Sequence, residues 1–564
     1  MNNSQWRRVC IVAAGLALAT IIIIGRLVVF QIVNADEWSE RGHYTMQIVD
    51  RPDRGIIYDR NGAVLAANTA DYQISVAPLM VTRPNELATA LSPILEMPRH
   101  QIMDALETTR PYVLLAGRVS AEVAEAVRQL PYSGLQIDPL PRRFYPQGDL
   151  MCHTLGYVDF EGNGGAGIEG YYQRELAGTA ASARVNISPL YEREHVVAQE
   201  GADLVLTIDR SVQFTVEKHL ARGVQQYSAR GGTIVVMDPR SGAILAIANL
   251  PCFDPGQFYD VEESRLLNPI VSRQYEPGSV MKLITMAAAL DSGVVGPQST
   301  YYDAGVLEVG GHRTHNWDRS APGTVDMTTL LGRSLNVGAA TLATWMGPEQ
   351  YYDYLRRFGF GRPTGIDLMS EATGLMPLPG DSNWTESFMA TNSYGQGLAV
   401  TSLQMIAATA ALANDGYMMQ PYLVAERHTA NGVARHNPTV LNRPISPETA
   451  HQISAMSVTA VAQEIYHAQI QGYTVAGKTG TAQIAEGGIY HPTDVVGSFI
   501  GWLPADAPEI IVYVKLDRPV PRWGSQTAAP LFSELVQELV VLLDIPPDNV
   551  RLRADVMAAR NGGQ

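Results

Sequence analysis

The chain has 564 residues, of which 46% are hydrophobic and 17% are charged. This is the composition of a folded protein, because disordered chains have few large apolar side chains and many charges. The formal net charge is −15, which argues against nucleic-acid binding, since that function requires clustered cations. The length allows two to four domains.

The chain contains three cysteines, Cys10, Cys152 and Cys252. Three cysteines form at most one disulfide bond, so the sequence carries no disulfide framework. We expect that no disulfide forms.

Lysine is rare in this chain. Only four of the 41 basic residues are lysines, namely Lys218, Lys282, Lys478 and Lys515. Arginine can replace lysine in most structural ion pairs, but it cannot release its proton. We therefore expect amine chemistry at some of these positions, and we interpret Lys218 and Lys515 as lysines without a catalytic role.

The segment 9–33 is an apolar run that contains one basic residue, Arg26. At about 1.5 Å per residue, a helix of this length crosses a hydrocarbon core of about 30 Å. Arg7 and Arg8 precede the run, so the positive-inside rule predicts a cytoplasmic N-terminus and an extracytoplasmic remainder. We expect an uncleaved anchor rather than a signal peptide, because the run is long and no A-x-A-like site follows it.

Arg26 lies about two thirds of the way along this segment, and two interpretations of it remain open. Its side chain could extend to the outer headgroups, as long basic side chains do near membrane surfaces. Alternatively, it could contact polar groups of a membrane partner within the bilayer.

Between the anchor and residue 208, the pattern indicates short strands, turns and a few helices. The segment 51–66 holds two apolar runs around the turn sequence DRNG and predicts a β-hairpin. Residues 84–130 are predicted to be helical, with prolines at the breaks. The segment 162–167 fits G-x-G-x-x-G, but it lacks the βαβ context of a dinucleotide site, and we interpret it as a turn.

The pattern changes at residue 209. Residues 210–229 predict a helix, and residues 231–250 predict two strands around a turn. After a helix-rich middle, strands are predicted at 472–477, 495–502 and 509–515, followed by an amphipathic helix at 529–544. Strands at both ends of this region predict a sheet that is covered by helices and completed late in the sequence.

The strongest chemical signal begins with Ser279 and Lys282. Glu276, Pro277 and Gly278 end the preceding element, and the following residues have helical character. Residues three positions apart share one face of a helix, so the serine hydroxyl and the lysine amine are predicted to point into the same space. This arrangement suits a serine nucleophile that is activated by an amine.

Two further motifs follow in order, S-L-N at 334–336 and K-T-G-T at 478–481, the latter predicted to end an edge strand. Taken alone, the first is typical of a helix cap and the second of a strand-to-turn junction. Their joint occurrence outside the membrane, with two of the four lysines inside the motifs, predicts one catalytic site.

S-x-x-K, S-x-N and K-T-G, in this order, form the motif set of class A β-lactamases and penicillin-binding proteins. The whole chain resembles a class B penicillin-binding protein, the monofunctional peptidoglycan D,D-transpeptidase. Segments that resemble the membrane-proximal pedestal of that family lie at 54–66, 142–148, 153–158 and 165–172. Segments that resemble its transpeptidase domain lie at 237–249, 358–368, 394–405 and 477–483.

The resemblance implies a chain in the bacterial cytoplasmic membrane with an α+β pedestal and an α/β transpeptidase domain whose sheet is flanked by helices. The parts expected are a cytoplasmic tail (1–8), a single transmembrane anchor (9–33), the pedestal, similar to a dimerisation domain (34–208), the transpeptidase domain (209–545) and a C-terminal tail (546–564).

The resemblance also implies a role for each motif residue. Ser279 would attack the penultimate D-Ala carbonyl of a D-Ala-D-Ala stem and form an acyl-enzyme, with Lys282 as its base. Ser334 would relay a proton to the leaving D-Ala, and Asn336 would hold the substrate amide. The residues expected to bind the substrate carboxylate and backbone are Lys478, Thr479, Gly480 and Thr481. The backbone N–H groups of Ser279 and Thr481 would form the oxyanion hole.

The implied partners are peptidoglycan stem peptides as substrates, β-lactams as inhibitors and a SEDS-family glycosyltransferase in the membrane. The motif forms favour a division-type over an elongation-type enzyme, and no cofactor is implied. His312, His315 and Asp318 are candidate zinc ligands, but no cysteine flanks S-x-N as it does in zinc-containing relatives. We interpret them as a polar loop at the rim of the cleft and expect no metal.

Three alternatives compete with this hypothesis. A β-lactamase or D,D-carboxypeptidase would hydrolyse the acyl-enzyme, but the glutamate that class A β-lactamases use for this step has no counterpart after S-x-N. A β-lactam-sensing receptor would carry an H-E-x-x-H metalloprotease and several spans. A weak or inactive scaffold that activates a SEDS glycosyltransferase is disfavoured by the intact residues Ser279, Lys282 and Lys478.

Overall fold

The structure is a computed structural model that describes residues 3–33, 45–50, 52–186, 198–487 and 489–553. The chain forms two compact units. One comprises residues 1–53 and 178–201, and the other comprises residues 54–177 and 202–564.

The described residues contain strands in both units. In chain order they are β1 (Thr45–Asp50), β2 (Ile57–Tyr58), β3 (Val64–Val76), β4 (Val113–Val119), β5 (Leu135–Phe144), β6 (Ala181–Asn186), β7 (Asp203–Leu206), β8 (Gly231–Met237), β9 (Ile244–Leu250), β10 (Thr300–Asp303), β11 (Val306–Val309), β12 (His312–His315), β13 (Gly323–Asp326), β14 (Met418–Met419), β15 (Val424–Thr429), β16 (Gly432–Arg435), β17 (Val440–Asn442), β18 (Ala476–Glu486), β19 (Ile489–Leu503) and β20 (Ile510–Asp517).

The α-helices are interspersed with these strands. In chain order they are α1 (Asn3–Val28), α2 (Pro84–Leu95), α3 (Arg99–Leu106), α4 (Ala121–Arg128), α5 (Cys152–Leu155), α6 (Gly167–Tyr171), α7 (Gln173–Ala177), α8 (Arg210–Gln226), α9 (Pro269–Ser272), α10 (Met281–Asp291), α11 (Met327–Gly332), α12 (Asn336–Met346), α13 (Pro348–Arg357), α14 (Glu386–Ser393), α15 (Ser402–Ala410), α16 (Pro447–Glu464) and α17 (Ala528–Leu542).

The first unit contains α1, whose stretch Trp6–Val28 is long and apolar enough to cross a membrane. Arg26 lies in the last turn of this helix. In the same unit, β1 and β6 pair in antiparallel orientation.

In the second unit, a seven-stranded sheet combines strands from distant parts of the sequence. Its order is β16-β15-β7-β2-β3-β4, and β5 also pairs with β3. β2 and β7 are parallel, and the other neighbours are antiparallel. Since β15 and β16 follow the helix-rich middle of the chain, early and late segments share this sheet.

A five-stranded sheet positions the candidate site. Its order is β18-β19-β20-β8-β9, antiparallel throughout, with β18 at an edge. Val512 and Val514 of β20 pack with α8 and α17 on one face. Ile511 and Tyr513, which alternate with them along the strand, join the core that contains α10 on the other face. Helices therefore cover both faces, as the sequence predicts.

Of the elements predicted at both ends of this region, α8, β8, β9, β19, β20 and α17 are confirmed. The strand predicted at 472–477 is displaced, because residues 472–475 precede it and β18 runs from Ala476 to Glu486. The hairpin predicted at 51–66 forms β2 and β3, and 162–167 contains the predicted turn before α6. Lys478, however, is the third residue of β18 and not the end of a strand, because pairing with β19 continues beyond Gln483.

The helical prediction for 84–130 is wrong for residues 113–119. They form β4, which pairs with β3. The prediction failed because the pairing partner lies some forty residues earlier in the chain, and strand pairing of this kind outweighs local propensity.

The prediction that no disulfide forms is also wrong. Cys152, the first residue of α5, is bonded to Cys252, which follows β9, across a sequence separation of 100 residues. Nothing in the spacing of three cysteines identifies this pair, because the fold alone brings the two segments together. The bond links a pedestal-like segment to a transpeptidase-like one.

Glu169 is the centre of a buried ion cluster. Its Oε2 accepts from Arg54 Nε at 2.6 Å, and its Oε1 accepts from Arg143 Nε at 2.6 Å. The glutamate side chain is fully buried. The cluster joins three of the segments that resemble the pedestal, 54–66, 142–148 and 165–172.

Candidate active site

The three motifs converge at the N-terminal end of α10. A single 3-10 turn, Gly278–Val280, leads directly into this helix, so Ser279 and Lys282 lie on one face as the sequence predicts. Gly278 has a φ of +60°, and a Cβ there would lie 3.0 Å from the carbonyl oxygen of Thr481. The serine turn therefore packs closely against β18 and needs glycine at this position.

The Lys282 amine is buried among oxygen atoms of the S-x-x-K and S-x-N motifs. Its Nζ lies 3.0 Å from Ser279 Oγ and 3.1 Å from Ser334 Oγ. It donates to the Ser334 carbonyl oxygen at 2.8 Å and to Asn336 Oδ1 at 2.7 Å. Two fixed acceptors and two hydroxyls thus surround one nitrogen.

Burial perturbs both lysines of the motifs. It lowers the pKa of Lys282 well below its usual value, and the nearby Lys478 charge lowers this pKa further. Burial also lowers the pKa of Lys478 to about 7. The site therefore favours one neutral and one charged amine, since two ammonium groups in one buried space repel each other.

Ser334 occupies the turn between α11 and α12 with a φ of +57°. Residues other than glycine adopt this conformation at a cost of about 1–3 kcal/mol, and such strain is concentrated at functional sites. The turn is held by the Leu335 N–H, which donates to the Leu330 carbonyl at 3.0 Å. In this turn, both the hydroxyl and the carbonyl oxygen of Ser334 face Lys282.

Asn336, at the start of α12, connects the lysine to a neighbouring strand. While its Oδ1 accepts from Lys282, its Nδ2 donates to the His315 carbonyl at 3.0 Å. One Nδ2 hydrogen remains for a substrate, because an amide nitrogen carries two.

The K-T-G motif lies in the edge strand β18. A Cβ at Gly480 would lie 2.4 Å from Ser498 Oγ in β19 and 3.2 Å from the Pro277 carbonyl oxygen, so a larger residue would displace the Ser498 hydroxyl and crowd the segment before Ser279. Thr479 and Thr481 line the cleft that also contains Ser279. Successive strand residues point to opposite sides, which directs Lys478 into the protein instead.

Five motif residues line a cleft of about 660 Å³, namely Ser279, Ser334, Asn336, Thr479 and Thr481, a size typical of ligand sites. The two lysines of the motifs are buried and do not line it. Trp317 and Trp523 also line it, with ring centroids 5.4 Å apart. Sequence reasoning missed this aromatic pair, because the two residues are far apart in the chain and no recognised motif contains Trp523.

The candidate zinc ligands do not form a metal cluster within the described residues. Asp318 instead accepts from Ser320 Oγ at 2.6 Å and lies 3.6 Å from Arg333. In the described part of the chain, the potential ligands that do cluster are Cys152, His153 and Cys252, and the two sulfurs among them are joined in the disulfide.

Comparisons with known proteins agree with this geometry. Residues 232–537 match the penicillin-binding protein transpeptidase domain, and residues 49–206 match the penicillin-binding protein dimerisation domain. Stage V sporulation protein D of Bacillus subtilis is 33% identical over 530 residues, which cover 91% of this chain and 81% of that protein.

Two further relatives cover most of the chain. The probable peptidoglycan D,D-transpeptidase PbpC of Pseudomonas aeruginosa is 30% identical over 567 residues, which cover 97% of this chain and 98% of that protein. The crystal structure of penicillin-binding protein 3 from Mycobacterium tuberculosis, complexed with aztreonam, has a TM-score of 0.69 at 28% identity and covers 89% of this chain and 98% of its own. The chain therefore belongs to the class B penicillin-binding proteins, the family of serine-type peptidoglycan D,D-transpeptidases.

Proposed function

We propose that this protein cross-links peptidoglycan stem peptides through a covalent intermediate on Ser279. The observation that carries the proposal is the 3.0 Å distance between Lys282 Nζ and Ser279 Oγ, in a site where burial lowers the pKa of this lysine. A neutral amine donates to the Ser334 carbonyl and to Asn336 Oδ1, and its lone pair then accepts the proton of the Ser279 hydroxyl. General-base catalysis of this kind contributes roughly 10²–10⁴-fold.

In the first half-reaction, Ser279 Oγ attacks the penultimate D-Ala carbonyl of the donor stem and gives its proton to Lys282. The Ser279 and Thr481 N–H groups stabilise the oxyanion. The C–N bond then breaks, and the proton passes from Lys282 through Ser334 Oγ, 3.1 Å away, to the departing D-Ala amine. Asn336 donates to the substrate amide through its second Nδ2 hydrogen.

In the second half-reaction, an amine of a neighbouring strand attacks the acyl-enzyme. Lys282, neutral again, accepts the proton that the attacking nitrogen loses, and this proton returns to Ser279 Oγ as the ester bond breaks. The products are the cross-link and the free enzyme, so no other reactant is needed.

The terminal carboxylate of the donor is assigned to the K-T-G motif. The hydroxyls of Thr479 and Thr481 donate to the carboxylate, and Gly480 keeps the strand edge close to the serine turn. Lys478 is buried behind the strand and acts on the carboxylate through its positive charge rather than by lining the cleft. The pKa of about 7 for Lys478 means that an anionic ligand favours the charged form of this lysine.

The cellular role extends this proposal. β-Lactams acylate Ser279 as substrate mimics, and the protein acts as the division-type transpeptidase beside a SEDS-family glycosyltransferase. The anchor α1 and the pedestal contact that partner, with the N-terminus in the cytoplasm. This part is supported by the motif forms and by the two arginines that precede the apolar run.

A labelling experiment tests the catalytic proposal. The full-length chain in detergent is incubated with a fluorescent penicillin, and then with a D-Ala-D-Ala peptide and an amine acceptor. Expected are stoichiometric label, its absence in Ser279→Ala, release of D-Ala and formation of the cross-linked product. Absence of label in the folded parent would favour the inactive scaffold, and rapid loss of label with hydrolysis alone would favour a hydrolase.

A further inference from the structure

A second cavity, of about 560 Å³, adjoins the catalytic cleft. Gln483 of β18 lines both spaces, and the cavity continues along the strand past Ile484 and Ala485. Its opposite wall includes Arg273 and Glu276, from the segment that leads directly into the Ser279 turn. The cavity therefore begins where the cleft ends along β18.

The walls of this cavity carry more positive than negative charge. Four cationic side chains line it, Arg230, Arg273, Lys515 and Arg518, against two acidic ones, Glu276 and Asp517. This excess occurs in a chain whose net charge is −15, so the cavity differs from the average surface. A concave site with an excess of cations attracts anions.

Arg230 and Arg273 are the cations most available to a ligand. Lys515 is nearly buried and donates to Asp517 Oδ1 at 2.6 Å, and Arg518 is held in another ion pair at 2.8 Å. Arg273 lies 3.7 Å from Asp517, and its side chain is 62% exposed. Arg230 is exposed, and it forms no ion pair with any residue in the described part of the chain.

Glu276 reduces this excess without removing it, because the two acidic side chains are outnumbered by four cationic ones. Its Oε1 accepts from the Gly397 N–H and from the Tyr490 hydroxyl, both at 2.9 Å. Burial raises the pKa of Glu276. Its contacts hold the hairpin of β18 and β19 beside the serine segment.

The position of the cavity determines which part of a substrate reaches it. An extended peptide that binds along the edge of β18 advances about 3.3 Å per residue. From Thr481, beside the scissile carbonyl, to Gln483 is two residues, or about 7 Å. The residue that precedes D-Ala-D-Ala in the donor therefore lies at the mouth of the cavity.

We propose that this cavity is a subsite for a carboxylate on the donor peptide, carried by the residue before D-Ala-D-Ala and bound by Arg230 and Arg273. Guanidinium groups suit this role, because their planar forks match a carboxylate in a bidentate arrangement. The inference rests on the proposed transpeptidase function and adds a specificity determinant to it.

Two matched peptides test the subsite, acetyl-Glu-D-Ala-D-Ala and acetyl-Gln-D-Ala-D-Ala, which differ only in charge at this residue. The full-length protein is used with an amine acceptor that takes the acyl group, and D-Ala release gives kcat/KM per active site, counted by penicillin labelling. The parent is expected to prefer the Glu peptide roughly 10-fold, the effect of one charged hydrogen-bonded contact. In the Arg230→Ala, Arg273→Ala double variant, this ratio is expected to fall to about 1.

The control is Arg222→Ala, an exposed arginine of α8 that lies 4.0 Å from Glu534 and does not line the cavity; it is expected to keep the parental preference. A general folding defect would lower both rates and leave their ratio unchanged, so the ratio isolates the subsite. Equal rates for the two peptides in the parent, or an unchanged ratio in the double variant, would overturn the subsite alone. If penicillin labels the protein and neither peptide reacts, the subsite is also wrong. If nothing acylates Ser279, the proposed function itself fails.

Discussion

Replacing Lys282 with arginine separates proton transfer from charge at the centre of the site. The Lys282 side chain is buried, with its Nζ 2.7–3.1 Å from four oxygen atoms. Arginine keeps the positive charge and can still donate to the Ser334 carbonyl and to Asn336. Its guanidinium stays protonated at neutral pH, so it cannot accept the Ser279 proton.

The expected magnitude follows from the role of this amine as a general base. Loss of such a base costs roughly 10²–10⁴-fold in rate, which corresponds to about 2.7–5.4 kcal/mol of transition-state free energy at 1.36 kcal/mol per tenfold change. The larger guanidinium must also fit a buried site, and overpacking typically lowers the free energy of unfolding by about 1–3 kcal/mol. We therefore expect a folded protein with a lower Tm and a much slower acylation.

The assay is the second-order rate of acylation by one fluorescent penicillin, corrected for the folded fraction by thermal melting. The control is Lys218→Arg, because Lys218 is partly exposed, lies 3.2 Å from Glu538 and is remote in sequence from the motifs. The control is expected to react at the parental rate. If Lys282→Arg also acylates within about threefold of the parent, this lysine is not the base.

Four further predictions address the electrostatics, the disulfide, the pedestal and the anchor. In the parent, kcat/KM for penicillin acylation should fall as pH rises through about 7, because Lys478 loses its charge there, and a pH profile of Lys478→Arg should lack this falling limb. Cys252→Ser should lower the free energy of unfolding by roughly 2–5 kcal/mol; a reductant should lower the Tm of the parent but not that of the variant. Glu169→Gln removes the buried negative charge that Arg54 and Arg143 share, so denaturant melts should show a loss of about 3–5 kcal/mol. The folded fraction should label with penicillin at the parental rate, and a loss of labelling in folded protein would contradict this separation. Arg26→Leu should reduce co-purification with a SEDS-family partner if the arginine contacts that partner, and undiminished co-purification would favour the headgroup interpretation.

The sequence alone was sufficient for the parts of this protein that depend on local periodicity and on short motifs. The apolar run of α1 and the turn that places Ser279 above Lys282 follow from patterns within about 25 residues. The strands β8, β9 and β20 and the apolar part of β19 were predictable for the same reason, since each is an apolar run bounded by turn residues. The extent of β18 was not, because its sequence is mixed and its pairing with β19 decides where it runs. The joint order of the three motifs then predicted the catalytic residues and indicated the family to which the comparisons assign the chain.

Only the tertiary structure decided the features that depend on contacts between distant segments. The strand β4 and the disulfide between Cys152 and Cys252 each require a partner that local propensity cannot identify. Lys515 shows the same limit: the sequence suggested a lysine without a particular role, whereas the fold buries it beside Asp517 in the wall of a cavity next to the cleft. The physical reason is that these features are set by free energies of long-range pairing and burial, which no local window of the sequence contains.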